Sequence, residues 1–521
     1  MTRLKWEWPL VALLGAAYIV VCVSVEAILY CDYADHLARA YVAADLMFRG
    51  GEHFGAIFRF EPMPVAYVLG DLILAVAVHW FGTSGATVFW TILNLLALPL
   101  AVAFYLHVTK AAAEVRAACV LMALYFAGDS FLIAGFLNFH LAVAMVVFSL
   151  GVAQQLRARF SAGVYAAYLL MLASGFLMHL SFVLYGGAAI GVTALWRLWR
   201  RETTFAREAA LLAPFGVLAA WHLASSFLYP ADPKGVGPAW GSLSSKLRRL
   251  NWELVRLHER LDVLAALVVA GCAAGIAALR MRARASADPV AWELLLLGVA
   301  FVAVFLVMPF RVGGTTYLDV RALTLASPFL ALGLLVLAIG RGPDLARPGQ
   351  RALLTLACAG LAALNLLLLY TGLRPWQQWL TNYRALTVSV PAGSNVLPVH
   401  TLDRQGQWRL QLHAAPLAVV ADRNAIVPNM FGADRGEPMK YFSYVKRGYN
   451  PDGLWVLEKL PVDWHAVACG YEFILVTEPF SMSDFGLPTS VVAQNTSGAL
   501  LRIDATACAR FDAEGRLPAG G

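Results

Sequence analysis

The sequence predicts an α-helical polytopic membrane protein of about eleven transmembrane helices, followed by a C-terminal α/β domain of about 140 residues. Three observations carry that expectation. Of the 521 residues, 60% are hydrophobic and only 14% charged, with a mean hydropathy of +0.65, too apolar for an ordinary soluble chain. The apolar residues gather into about twelve stretches of roughly 16 to 23 residues, near the length a helix needs to cross a hydrocarbon layer at about 1.5 Å per residue. From residue 373 onward charge rises and Pro and Gly become frequent, the composition of a folded domain rather than of a span.

The stretches lie near 9–30, 65–82, 86–107, 117–136, 138–156, 163–178, 180–199, 208–228, 262–279, 291–310, 322–340 and 352–372. None shows the strict alternation of a membrane barrel, so a helical bundle is expected. The first run follows Arg3 and Lys5 and has no small-residue cleavage site, so it is read as a retained helix. Orientation comes from the short basic loops at Lys110/Arg116, Arg157/Arg159, Arg197/Arg200/Arg201/Arg207, Arg280/Arg282/Arg284 and Arg341/Arg347/Arg351, each expected in the cytoplasm. With Arg3 and Lys5 also inside, all agree only when 65–82 does not fully cross. That puts the N-terminus in the cytoplasm and the C-terminal domain in the periplasm of a bacterial inner membrane. A twelve-span alternative turns the N-terminus outward and loop 31–64 inward, and gives up only the Arg3/Lys5 signal. The net charge of +7 sits in these loop clusters, so no nucleic-acid partner is expected; membrane lipids are.

In domain terms, residues 1–372 form the transmembrane part, with a first periplasmic loop at 31–85 and an amphipathic periplasmic loop at 229–261. Residues 373–521 form the C-terminal domain, ending in a frayed tail from Asp512. Within it Leu417–Val420 and Phe473–Val476 read as strand-like runs. Cys22, Cys119, Cys272 and Cys358 fall in apolar helices and Cys31 at a membrane edge, whereas Cys469 and Cys508 lie in the C-terminal domain, either as a disulfide or as two thiols. Between 241 and 264 leucines recur at steps of three and four with Lys246, Arg248, Arg249, Arg256 and Arg260 between them. This predicts an amphipathic helix, lying on the membrane with its basic side on lipid phosphates or packed on the C-terminal domain.

Acidic groups beside a bilayer are costly unless solvated or used, so Glu26, Asp32, Asp35 and His36 need a reason. On a helix Asp32, Asp35, His36 and Arg39 share one face at spacings of three and four. A carboxylate there can accept a proton from a hydroxyl while the cations hold a phosphate. The same set also serves as a solvated capping turn. Further along, Phe60-Glu61-Pro62-Met63-Pro64 precedes an apolar stretch ending in Trp80-Phe81-Gly82, and then a span with a basic end. This layout resembles the GT-C superfamily. Within it the lipid A aminoarabinose transferases and protein O-mannosyltransferases carry an Asp near the start of the first periplasmic loop and a Glu-Lys-Pro-like element before a juxtamembrane helix. The 29 positions from Asp32 to Glu61 suit that pattern, although Met63 stands where a lysine is usual.

The resemblance implies a GT-C-like fold with periplasmic juxtamembrane helices, Asp32 as the catalytic base with Asp35 as the alternative, and Glu61 as the acidic residue of the Glu-Pro element. It makes Asp129, with His140 after it, the second acidic site. His179 stands where relatives place a lysine on phosphate, though it could equally be a structural histidine. Arg311 and Arg321 flank the ends of two spans, where a guanidinium must find an anion; the resemblance makes that anion the lipid donor's phosphate, and an Arg321–Asp319 ion pair or snorkelling to the interface is the alternative. No Asp-X-Asp pair or metal-ligand motif appears, so no cofactor is assigned, and a divalent metal has no motif to hold it. The implied activity is inverting transfer of a sugar from a polyprenyl-phosphate donor to a periplasmic glycan, lipid or protein. The alternative is a lipid-carrier transporter or an assembly subunit of an envelope polysaccharide system.

Overall fold

The structure, a computed structural model, describes residues 6–26, 32–60, 64–228, 238–254, 271, 275, 288–312, 317–340, 348–399, 418–427, 442–444, 462–477 and 480–514. The chain forms two compact units. One comprises Met1–Ser24, Pro64–Leu69 and Trp90–Gly372; the other comprises Val25–Met63, Gly70–Phe89 and Leu373–Gly521. Among the described residues, nine helices are long and apolar enough to cross a membrane, and Ala162–Met178 is a shorter apolar one. The protein is a multi-pass membrane protein.

The first unit is the helical bundle. Its elements are α1 (Glu7–Ser24), the C-terminal part of α3 (Val68–Val108), α4 (Ala113–Ala127), α5 (Ser130–Ile133), α6 (Leu137–Ala158), α7 (Ala162–Met178), α8 (Ser181–Trp199), α9 (Phe205–Leu228), α10 (Leu243–Leu254), α11 (Pro289–Val307), α12 (Leu318–Arg321), α13 (Leu323–Ile339) and most of α14 (Pro348–Thr387). The stretch 262–279, expected to span, lies outside the described residues apart from Gly271 and Gly275. Helix α11 starts where the sequence says it should, with Asp288 accepting the Val290 N–H at 2.9 Å and Pro289 in the first turn. It packs closely on α13, because a Cβ at Gly298 would stand 2.9 Å from the Leu330 backbone nitrogen. Two buried carboxylates inside the bundle are paired: Glu208 takes the Arg157 guanidinium, and Glu293 accepts from Arg197, Tyr105 and Gln154. Breaking such a buried pair costs about 3–5 kcal/mol, so these contacts set which helices meet.

Helix α3 is two helices joined at Gly82, whose φ of 68° and ψ of 177° no side-chain-bearing residue adopts easily. The expected division between an apolar segment ending at Gly82 and the span after it is therefore a backbone break. Residues 70–89 group with the second unit and those from Trp90 with the bundle.

The second unit contains α2 (Tyr33–Phe48), the N-terminal half of α3 and the end of α14, with a four-stranded sheet in the order β2-β4-β6-β5. Strand β2 (Val396–Val399) runs parallel to β4 (Phe473–Thr477); β6 (Gly498–Ile503) is antiparallel to β4 and to β5 (Thr489–Asn495). All five residues of β4 are buried, which is why they read as a continuous apolar run. Leu397, Val467, Ile474, Val476, Leu501 and Ile503 build the core. Cys469 and Cys508 form a disulfide between α16 (Trp464–Gly470) and α17 (Ala507–Glu514). A separate ladder pairs β1 (Phe58–Phe60) with β3 (Phe442–Tyr444).

Two sequence expectations are corrected. The run at 417–420 is not a strand: Ala418–Arg423 is a short helix, α15, with Val419 and Val420 buried, and four apolar residues carry no period that separates the two. The amphipathic segment is helical over Leu243–Leu254, but two of its basic residues, Lys246 and Arg249, turn inward, while Arg248 is exposed and Arg256 and Arg260 lie outside the described residues. Lys246 is 3% exposed, while Leu243 and Leu247 are 63% and 52% exposed. The Lys246 ammonium donates to the carbonyls of Phe305 at 2.8 Å and Met308 at 2.5 Å, at the end of α11, and Arg249 donates to Asp319 at 2.7 Å. A buried carboxylate and unpaired helix-end carbonyls hold these cations more strongly than solvent-exposed headgroups do.

Candidate functional site

Two sets of charged groups stand out, one in each unit. In the second unit, α2 carries Asp32, Asp35, His36 and Arg39 on the shared face expected from their spacing, and the first turn of α3 adds Asp71. Arg39 lies at the centre. Its Nε donates to Asp71 at 2.8 Å, Nη2 to the other Asp71 oxygen at 3.2 Å, and Nη1 to Asp35 at 2.9 Å. Asp35 and Asp71 are almost fully buried, with side chains 5% and 2% exposed, whereas Asp32 is 32% exposed.

The His36 ring lies between two carboxylates, Nε2 at 3.2 Å from Asp32 Oδ2 and Nδ1 at 3.0 Å from Asp71 Oδ1. Burial and the nearby guanidinium both oppose a charged ring, but the hydrogen bonds to Asp32 and Asp71 outweigh them and raise its pKa to about 9. Nδ1 also stands 2.6 Å from Arg39 Nη2. At that distance a protonated Nδ1 would face another N–H donor, whereas a neutral Nδ1 would accept from Arg39. Glu26, which the sequence groups with these residues, instead accepts from Arg384 at 3.0 Å, and Arg384 also binds Asp422 at 2.9 Å. Glu61, and with it the Glu-Pro element, lies outside the described residues.

In the bundle, His179 occupies the short break between α7 and α8. The Ser181 N–H donates to its Nδ1 at 3.0 Å, so in the neutral ring the proton sits on Nε2. Arg321 Nη1 lies 3.1 Å from that Nε2, which brings two N–H donors face to face. Arg321 is also stacked over the rings of Phe136 and Phe139, at 5.4 and 5.2 Å, and its buried Nε has no hydrogen-bond partner among the described residues. The Tyr67 ring packs edge-on against His179 at 4.4 Å. Two converging donors and a third unused one form an environment that an anionic oxygen completes.

The expected alternative of an Arg321–Asp319 pair does not form, because Asp319 is taken by Arg249 and, at 3.8 Å, by Lys246. Arg311 exchanges backbone hydrogen bonds with Ala239, and its side-chain Nε is buried without a partner among the described residues. Asp129 caps α5 by accepting the Leu132 N–H at 2.8 Å and lies 3.8 Å from His140 Nε2. The His140 Nδ1 and Asn138 Nδ2 atoms nearby in sequence are buried without partners among the described residues. The group His465, Cys469 and Cys508 brings potential ligand atoms together, but both sulfurs belong to the disulfide. Asp71 was not singled out by sequence, and Lys246 and Arg249 were expected on lipid phosphates or against the C-terminal domain, not on Asp319. Asp71 lies in an otherwise apolar stretch, and that isolated charge is the signal that marks it.

The chain is similar to the solved structure of ArnT from Cupriavidus metallidurans bound to undecaprenyl phosphate, at 12% identity over 96% of this chain and 98% of that one, with a TM-score of 0.55. The fold is ArnT-like. The apo state of ArnT from the same organism gives 0.51 over the same shares of both chains. ArnT is a lipid A aminoarabinose transferase of the GT-C family, so the fold class expected from the loop and span layout is the one observed. No family model and no curated protein matches the sequence.

Proposed function

We propose that this protein is a membrane glycosyltransferase that moves a sugar from a polyprenyl-phosphate donor to an acceptor hydroxyl on the periplasmic side of a bacterial inner membrane. The observation that carries the proposal is the unequal exposure of three aspartates in one charge cluster on an ArnT-like fold. Asp35 and Asp71 are buried on Arg39, while Asp32 is the accessible one, and its Oδ1 makes no hydrogen bond among the described residues. Asp32 is therefore preferred over Asp35 as general base. It takes the acceptor's proton as the acceptor oxygen attacks the anomeric carbon, and the bond from that carbon to the lipid phosphate breaks with its electron pair leaving on the phosphate. Such a displacement inverts the anomeric centre.

Within the bundle taken by itself, Arg321 and His179 are assigned to a lipid phosphate, since their facing N–H groups are relieved by a shared anionic oxygen. The ArnT structure that this fold resembles was bound to undecaprenyl phosphate, which supports a lipid of that class as donor. Arg311 is a second candidate for the same anion. The test is a deletion strain examined by mass spectrometry for unused lipid-linked sugar. Wild-type protein should clear the accumulated donor, and Asp32→Asn, inserted at normal levels, should lose at least ~100-fold of that activity. Near-normal clearance by Asp32→Asn would sink the assignment.

A further inference from the structure

Helix α10 stands the wrong way round for a helix washed by water. At about 100° per residue its side chains from Leu243 to Arg249 fall into three sectors around the axis. Lys246 and Arg249 turn inward. Leu243 and Leu247, one turn apart, make an exposed apolar sector, and Ser244 and Arg248, also one turn apart, make an exposed polar one. A helix between a bundle and water meets two environments and needs two sectors. Three sectors call for three environments.

The neighbouring span says what meets the leucines. Lys246 holds the carbonyls of Phe305 and Met308, so α10 lies across the end of α11. At the same end Trp240, just ahead of α10, donates its Nε1 proton to the Val307 carbonyl at 3.2 Å. Val307 is 71% exposed and Trp240 63%, and Leu306 beside them is exposed as well. Exposed apolar residues on a transmembrane helix face lipid chains, and Trp and Leu on α10 continue that surface.

The inward side is tied just as firmly. Arg249 donates to Asp319 at 2.7 Å and lies over the Phe310 ring at 4.6 Å. Asp319 belongs to α12, a four-residue helix that begins at Tyr317 in the left-handed region, with φ of 59°, and that carries Arg321. So short a helix with so strained a start does not stand by itself. Arg249 on Asp319 and the Tyr185 hydroxyl on the Leu318 carbonyl, at 3.0 Å, hold it.

We propose that α10 is an interfacial strap: its leucine sector enters the acyl chains of the bilayer, its Ser244 and Arg248 sector meets headgroups and water, and Lys246 and Arg249 tie it to the end of α11 and to α12. Its leucines, not its cations, are thus the side that enters lipid, and Arg248 alone of the three cations reaches the headgroups. Contact with the bilayer is thereby passed to the short helix that bears Arg321. None of this depends on the transfer reaction.

The test uses wild-type, full-length protein in nanodiscs of phosphatidylethanolamine and phosphatidylglycerol. Separate samples are doped with a lipid carrying a diazirine midway along one acyl chain or with a lipid carrying it on the headgroup. After irradiation, attached lipid is mapped by peptide mass spectrometry. The acyl probe should mark Leu243 and Leu247 as it marks Val307, and the headgroup probe should mark Ser244 and Arg248. Leucines left unmarked by the acyl probe would overturn the proposal, whether the C-terminal domain, a second copy or water covers them. So would the two probes exchanging sectors.

Hydrogen exchange reads the inner tie. Arg249→Met, similar in reach but without charge, should raise exchange of the amides at 318–321 by about 10-fold or more, the effect of losing one charge-assisted bond, while the middle of α11 stays protected. Arg249→Lys should restore most of that protection. Unchanged exchange at 318–321 in Arg249→Met would overturn the strap even where the lipid marks fall as expected.

Discussion

Arg39 and Arg321 are both buried, yet their surroundings differ. Arg39 directs three hydrogen bonds to two carboxylates, whereas Arg321 forms no salt bridge among the described residues and meets an imidazole and two phenyl rings. The first arrangement is closed: its cations are consumed in holding Asp35 and Asp71, and only Asp32 faces outward. The second is open, with a guanidinium whose Nε is unused and whose Nη1 faces another donor. A closed network fixes geometry, and an open cation awaits an anion. A buried arginine's role is set by what surrounds it and not by its burial.

The largest effect that could break this contrast is on stability. Arg39→Met leaves Asp35 and Asp71 buried without their cation and should cost about 3–5 kcal/mol, read as a large drop in thermal midpoint in detergent. Arg321→Met should leave the midpoint almost unchanged, since no carboxylate loses a partner; equal losses in both variants would erase the distinction.

Next comes pH. The His36 pKa is raised in the folded protein to about 9 from an ordinary 6.5, so its contribution is fully present below about 6.5 and is lost as pH rises through about 9. Unfolding between pH 6 and 10 should show a decline on the order of 3 kcal/mol, absent in His36→Gln. The smallest effect lies in binding. Arg321→Met should weaken undecaprenyl phosphate binding by roughly 10- to 100-fold, matching the loss of charge-assisted bonds of about 1.5–3 kcal/mol. Arg39→Lys, if folded, should leave that affinity intact.

How much of the site was legible follows from sequence distance. Asp32, Asp35, His36 and Arg39 lie within two helical turns, and their periodicity placed them on one face before any contact was known. Asp71 stands 32 positions from Arg39 inside an apolar stretch, and no local rule connects the two. Arg249 and Asp319 are 70 positions apart, so the amphipathic pattern showed a basic face without telling that Arg249 turns inward onto a carboxylate. The 417–420 run failed for a different reason, being too short to carry either period.

The sequence by itself determined that this chain enters a membrane as many helices, where most of them begin and end, and which charges share the first turns of α2. Span length, apolar content and helical spacing are local properties, and a chain cannot hide them. Only the tertiary structure decided which charge meets which. Hydrogen bonds and ion pairs act over about 3 to 4 Å, and packing, not order along the chain, brings Asp71 to His36, Asp319 to Arg249 and His179 to Arg321.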